Sequence, residues 1–270
     1  MNNTDCDSAL AGAGSLEQEI ARFEESLARG DDPSVPYDPF ITAVRARSRG
    51  YSYRTPGIIT GRTHHNLSRG EEGVLHLLDS QWEVVANIRE QFAIAVPLTW
   101  LICKRHGWPH PFYKKAPAVL TVDFLVTSRS GERVGIDFKK KCDLSDERTK
   151  MKLGIVAEAL RLAGAAHKVM TEENLPRIKV RNLRFLHQLA LPFDPPPLSV
   201  LELETAEESL RTLLQNGRTP VIDAARLISS RTLIPTARLS RGALWCIARG
   251  RWKVDLNRPI GPDHPVTFSR

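Results

Sequence analysis

The chain has 270 residues, 41% hydrophobic and 26% charged, enough apolar content to bury a core in one large domain or two modest ones. Its four cysteines, Cys6, Cys103, Cys142 and Cys246, form no C-x-x-C pair, and its longest uncharged apolar run, Gln91 to Cys103, contains Pro97. Together these exclude a disulfide framework, a zinc site and a membrane span, and with a net charge of +7 they suit a cytoplasmic, nucleoid-associated protein without membrane contact.

In chain order, residues 1–14 (MNNTDCDSALAGAG) lack the basic and apolar regions of a secretory signal and read as disordered. A helix is expected from Ser15, because Ser15-Leu16-Glu17-Gln18 has the form of a capping box and Leu16, Ile20, Phe23 and Leu27 make one apolar stripe that stops at Gly30. A Pro-rich connection, 31–40, leads to a mixed α/β region from about 68 to 192. There the spacing predicts a helix over 71–79, strands over 119–126 and 133–139 around a Ser128–Gly131 turn, an amphipathic helix over 145–163 ended by Gly164, and a short strand over 166–170. The Pro cluster from Phe193 to Pro197 marks a domain boundary, so the expected organisation is 1–40, 41–194 and 195–270. Beyond it, helices opening at Thr205 and at Thr219-Pro220, followed by a strand pattern over 251–256, suggest a small winged-helix-like domain. Trp245 and Trp252 read as its core.

Charge is unevenly spread. Residues 1–38 carry nine acids against Arg22 and Arg29, whereas 224–270 carry nine Arg and Lys against Asp255 and Asp263. A basic end suits a polyanionic partner, because Lys and Arg release counterions from phosphate backbones.

The chemistry-bearing pattern lies on the two central strands. Along 133–139, Val134, Ile136 and Phe138 face one way while Asp137 and Lys139 face the other. The preceding strand can bring Asp123 beside Asp137, which gives D-x13-D-x-K, the spacing of PD-(D/E)xK nucleases. Two hard carboxylates suit Mg²⁺, which polarises a phosphate and acidifies its water, and the lysine can orient a nucleophile or neutralise developing charge. Alone, the pattern fits a surface hairpin with a salt bridge better. Glu71 strengthens it. With Val74, Leu75 and Leu78 on its face it points to the core, where an acid needs a reason. Its neighbour Glu72, with Leu75, His76 and Asp79, takes a more solvated face.

From about 61 to 175 the chain resembles the TnsA family, endonuclease subunits of heteromeric TnsA/TnsB/TnsC-type bacterial transposons. The resemblance rests on an ordered series: Gly61-Arg62 with His64-His65, Ser68-x-x-Glu71, Ile88-Arg89-Glu90-Gln91-Phe92, Gly107 with His110-Pro111, Asp123-Phe124-Leu125-Val126, Lys139, and Asp146-Glu147-Arg148-Thr149. It implies an α/β fold with a restriction-endonuclease-like core followed by a winged-helix domain. By position it also implies catalytic residues Glu71, Asp123, Asp137 and Lys139, and Mg²⁺ (replaceable by Mn²⁺) on Glu71, Asp123, Asp137 and the Phe138 carbonyl. Some members carry Gln where this chain has Asp137. The implied activity is cleavage of double-stranded DNA at the transposon 5′ ends, with a TnsB-like DDE transposase and a TnsC-like AAA+ ATPase as partners. A stand-alone restriction or repair nuclease and a non-catalytic DNA-binding scaffold are the alternatives.

Around this centre Lys140, Lys141 and Arg148 are candidate DNA contacts, with Lys150 and Lys152 nearby, and Arg251 and Lys253 share one face of the last strand pattern. His64 and His65 read as structural or phosphate-contacting, since no carboxylate or cysteine stands at ligand spacing. His110 belongs to a Pro- and aromatic-rich loop expected near the site. His106, His167 and His187 carry no signal.

Overall fold

The computed structural model describes residues 14–32, 35–44, 51–113, 116–191 and 196–269. The N-terminal stretch expected to be disordered and the 194/195 boundary both fall outside these residues. The chain divides into two compact units, Met1–Thr55 with Arg62–Asn174, and Pro56–Gly61 with Leu175–Arg270.

In the first unit, helix α1 (Leu16–Arg29) carries the expected reciprocal capping box between Ser15 and Gln18. It buries Phe23 and Leu27. A short hairpin of β1 (Tyr53–Pro56) and β2 (Thr63–Asn66) precedes α2 (Arg69–Asp79), whose N-cap Ser68 accepts a hydrogen bond from the Glu71 N–H. Then follow β3 (Val85–Ile94), α3 (Val96–His106), the two-residue strands β4 (Phe112–Tyr113) and β5 (Ala116–Pro117), and the long hairpin β6 (Leu120–Ser128) and β7 (Arg133–Phe138). Helix α4 (Glu147–Leu162) crosses back to β8 (Ala166–Met170), which pairs parallel to β7. The central sheet runs β3-β6-β7-β8, antiparallel except for that last pair. It is a mixed α/β layer of the kind a restriction-endonuclease-like core requires.

The core of this unit joins Phe23 and Leu27 of α1, Phe92 and Ile94 of β3, Leu98 and Ile102 of α3, and Ile155 and Leu160 of α4. Burying these apolar side chains contributes about 1.5–3 kcal/mol each. Close approach of α4 to the sheet requires Gly135, since a methyl group there would run into the Leu160 side chain. Helix α2 is enclosed more fully than its periodicity predicts. Glu72, His76 and Asp79 are buried along with Glu71, so the solvated face expected for Glu72 does not exist.

The second unit is helical: α5 (Arg177–Ala190), α6 (Val200–Leu214), α7 (Val221–Ser229) and α8 (Thr236–Ala248). Leu186 and Ala190 of α5 pack in the same core as Leu210, Leu239 and Trp252. The compact units therefore divide ahead of the Pro cluster, at Leu175. Helix α6 opens at a Ser199–Glu202 capping box and not at Thr205, whose hydroxyl bonds back to the Leu201 carbonyl inside the helix. Burial alternates only over 251–253, with Trp252 buried between exposed Arg251 and Lys253, while Val254, Asp255 and Leu256 are all half-buried. No regular strand forms there, because Val254 meets Phe268 in a single bridge and the pairing goes no further.

Candidate active site

The β6–β7 ladder pairs Phe124 with Ile136, which puts Asp123 and Asp137 next across it. Asp123 Oδ2 accepts the Phe138 backbone N–H at 2.8 Å and the Lys139 ammonium at 2.9 Å. The same ammonium reaches the Phe138 carbonyl at 3.0 Å and Asp137 Oδ1 at 3.4 Å. Lys139 itself is tied to β8 through its N–H and the Met170 carbonyl. The D-x-K spacing thus works as alternation predicts, with acid and ammonium side by side on one face.

Glu71 arrives from the first turn of α2. Its carboxylate accepts the Leu67 N–H at 2.8 Å, the Ser68 hydroxyl at 2.9 Å and the Gln91 amide at 3.3 Å. Glu72 turns instead toward His76, 3.7 Å away. Helix and sheet meet closely here because residue 70 is glycine, and a methyl group at Gly70 would overlap the Phe138 ring.

Two further residues belong to the cluster: Gln91, which the Ile88–Phe92 motif contains without assigning it a role, and His167, which the sequence does not single out. Gln91 lies between Glu90 and Phe92, whose partners are Phe124 and Val122, and so stands across from Asp123. Its amide nitrogen is 3.4 Å from Asp123 Oδ1, and its oxygen accepts the Thr121 hydroxyl at 3.2 Å. His167, brought across from Gly135 by the parallel β7–β8 pairing, has Nε2 2.8 Å from Asp137 Oδ2. Hydrogen-bonding neighbours set by long-range register leave no local spacing to read.

Three carboxylates share a mostly buried space with one ammonium. Burial pushes the Asp123 carboxyl up to about 7, with Asp137 and Glu71 adding to the rise and Lys139 opposing it. Glu71 is raised as well, chiefly by burial, against the pull of the Leu67 N–H, the Ser68 hydroxyl and Lys139. Burial works against the Lys139 ammonium, but Asp123 and Asp137 more than offset it and hold its pKa above the ordinary lysine value. As placed, no three His, Cys, Asp or Glu side chains among the described residues stand close enough to hold a metal ion. The donor set nevertheless fits a hard cation. The Lys139 ammonium is a stand-in for one, contacting Asp123, Asp137 and the Phe138 carbonyl together.

The histidines near β2 have a structural role. Arg62 makes a two-pronged pair with Glu90 at 2.8 and 2.6 Å, His64 Nδ1 meets the same carboxylate at 2.8 Å, and the His65 N–H donates to it at 3.1 Å. Burial would raise the Glu90 carboxyl, yet His64 and Arg62 bring it down to about 2. His110 is held by Thr99 and the Pro111 carbonyl and packs on Trp100, so its loop forms an aromatic cluster of its own.

Among the basic residues, Lys140 and Arg148 are exposed, and Lys141 pairs with Glu173 at 2.6 Å. Lys152, one turn beyond Arg148 on α4, has its pKa lowered by burial and then by the neighbouring charges of Arg148 and Lys139. Arg251 and Lys253 belong to the second unit. There they line a cavity of about 370 Å³ with Arg211, Gln215 and Phe268, and Arg251 is anchored to Glu207 at 2.6 Å.

No family model matches the chain. It is similar to the Transposon Tn7 transposition protein TnsA of Escherichia coli, 31% identical over 184 residues. That match covers 67% of this chain and 66% of the relative, just under two thirds of its length. Taken with the resemblance of the ordered motifs, this similarity places the sequence: the chain belongs to the TnsA family.

Proposed function

We propose that the chain is a metal-dependent DNA endonuclease subunit of a heteromeric transposase, cutting the strand at the transposon 5′ ends. The observation that carries this reading is the convergence of Asp123 Oδ2, Asp137 Oδ1 and the Phe138 carbonyl on one cationic group, with Glu71 alongside. Asp123, Asp137, Glu71 and the Phe138 carbonyl would hold Mg²⁺, or Mn²⁺ in its place. When bound, such an ion polarises the scissile phosphate and acidifies a water. Hydrolysis joins a water oxygen to phosphorus and releases a sugar oxygen, and charge accumulates on the phosphate oxygens. With an ion among these oxygens, the Lys139 ammonium would turn from them to meet that charge. His167 fixes the orientation of Asp137 through its outer oxygen. Lys140, Lys141, Arg148 and Lys152 supply positive charge for the flanking phosphates, as Arg251 and Lys253 do in the second unit.

Partners in this reading are duplex DNA of the transposon ends, a TnsB-like DDE transposase and a TnsC-like AAA+ ATPase. A cavity of about 540 Å³ lined by Phe185, Leu189, Ile222, Ala237 and Leu244 offers the second unit an apolar seat for a protein segment. The test is to incubate the purified chain with labelled end DNA and Mg²⁺, with and without the neighbouring gene products, and with a chelator. Cleavage confined to the complete mixture supports the subunit role. Cutting by the chain alone would indicate a stand-alone nuclease, and no cutting with any metal would leave a scaffold.

A further inference from the structure

Gln91 is the only non-glycine residue with positive φ (49°) among the described residues, and it sits inside a strand at 2% exposure. A glutamine held in the left-handed region is strained, and such strain persists only where surrounding contacts fix it. Here they do. The Gln91 carbonyl accepts the Phe40 N–H at 3.3 Å, and its side-chain oxygen accepts the Thr121 hydroxyl at 3.2 Å. With that oxygen taken by Thr121, the NH₂ end faces Glu71 and Asp123, and carboxylates that serve a cation are ionised and only accept hydrogen bonds. Its two hydrogens are shared out, one toward Glu71 Oε2 at 3.3 Å and one toward Asp123 Oδ1 at 3.4 Å.

We propose that Gln91 is a positioning residue, a neutral spacer that sets the separation of the α2 acid Glu71 and the β6 acid Asp123 so that both can serve one divalent cation. The inference rests on the nuclease reading above and deepens it. The two acids come from different elements, and no covalent link or shared helix turn fixes their distance. An amide with both hydrogens committed does so without adding charge. A glutamate there would add a further negative charge, a leucine would keep the bulk without the donors, and an asparagine is too short to span both. Thr121, two residues before Asp123 and on the same face of β6, locks the amide in the useful orientation.

The experiment compares the full chain with Gln91→Leu and Thr121→Val, measuring Mn²⁺ affinity without DNA, thermal stability and cleavage of end DNA. Gln91→Leu is expected to weaken Mn²⁺ binding about 10–100-fold, the range for groups that orient ligands from behind. Thr121→Val, a change a strand accepts readily, should weaken it in the same direction by less and with its melting temperature retained. A role in packing alone would move the melting temperature of Gln91→Leu and leave Mn²⁺ affinity at the wild-type value. That result, or unchanged affinity in Thr121→Val should Gln91→Leu not fold, overturns the proposal. Absence of Mn²⁺ binding by the wild-type chain would overturn the nuclease reading and this spacer role with it.

Discussion

Asp123 is where burial, like charge and an ammonium compete most closely. Its folded pKa, about 7, lies above that of an unfolded aspartate, so the folded state holds a proton that the unfolded state releases first. The stability this group contributes is complete below the unfolded value near 3.8 and is lost as pH rises through about 7. In metal-free protein, Asp123→Asn is therefore expected to raise the melting temperature at pH 8, and the gain should shrink toward zero as pH falls from 7 to 4. Melts across that range check it, and a gain that grew with acidity would contradict the sign. For activity the expectation reverses: Asp123→Ala and Lys139→Ala should both abolish strand cleavage while circular dichroism stays native, since these side chains face the cluster and not the apolar core. Glu71→Ala is expected to keep partial activity that Mn²⁺ restores, because part of the Glu71 carboxylate is spent on the helix start at Leu67 and Ser68. Near-normal cleavage by the Asp123 or Lys139 variant would remove the nuclease assignment.

Among the elements, α2 and β3 carry the site's tolerances. Gly70→Ala should push the Phe138 ring off the first turn of α2, costing about 1–3 kcal/mol by thermal melts and lowering cleavage by separating Glu71 from the β7 acid. Arg62→Ala should cost about 3 kcal/mol, because it leaves the buried Glu90 carboxylate without its two-pronged partner. Denaturant unfolding measures that loss. Much of this architecture is legible in the sequence: the Ser15 capping box, the alternation along 133–139 and the distance between Asp123 and Asp137 are local patterns, and the structure realises each of them. The Ile88–Phe92 motif includes Gln91 but not its role, and His167 carries no mark, since a left-handed residue within a strand and a histidine delivered by a parallel crossover depend on pairings remote in the chain. The alternation of 251–256 misleads for the opposite reason. It marks Trp252 as buried between two exposed cations, but a strand also needs a partner, and Phe268 supplies one bridge only.

At the scale of the molecule, the proposed role turns on net charge and its placement. Arg211 sits over the Phe268 ring, 5.9 Å from its centroid, and shares a cavity with Arg251 and Lys253, so the second unit presents cations that are held in place before a phosphate arrives. The double variant Arg211→Gln/Lys253→Gln is expected to weaken DNA binding for every sequence alike and to make the slope of log affinity against log salt shallower by about 2, roughly 0.9 for each phosphate no longer neutralised. Anisotropy titrations from low to moderate salt read this directly, and an unchanged slope would take those side chains out of the interface. The division of the chain into units has its own consequence. Residues 56–61 belong to the second unit although 62–174 return to the first, and Ile58 packs against the core built by α5 to α8. A chimaera made by one crossover after Asn174 would therefore set the Ile58 of one parent against a helical core inherited from the other. Exchanging C-terminal halves between relatives thus also requires swapping the short loop from Pro56 to Gly61.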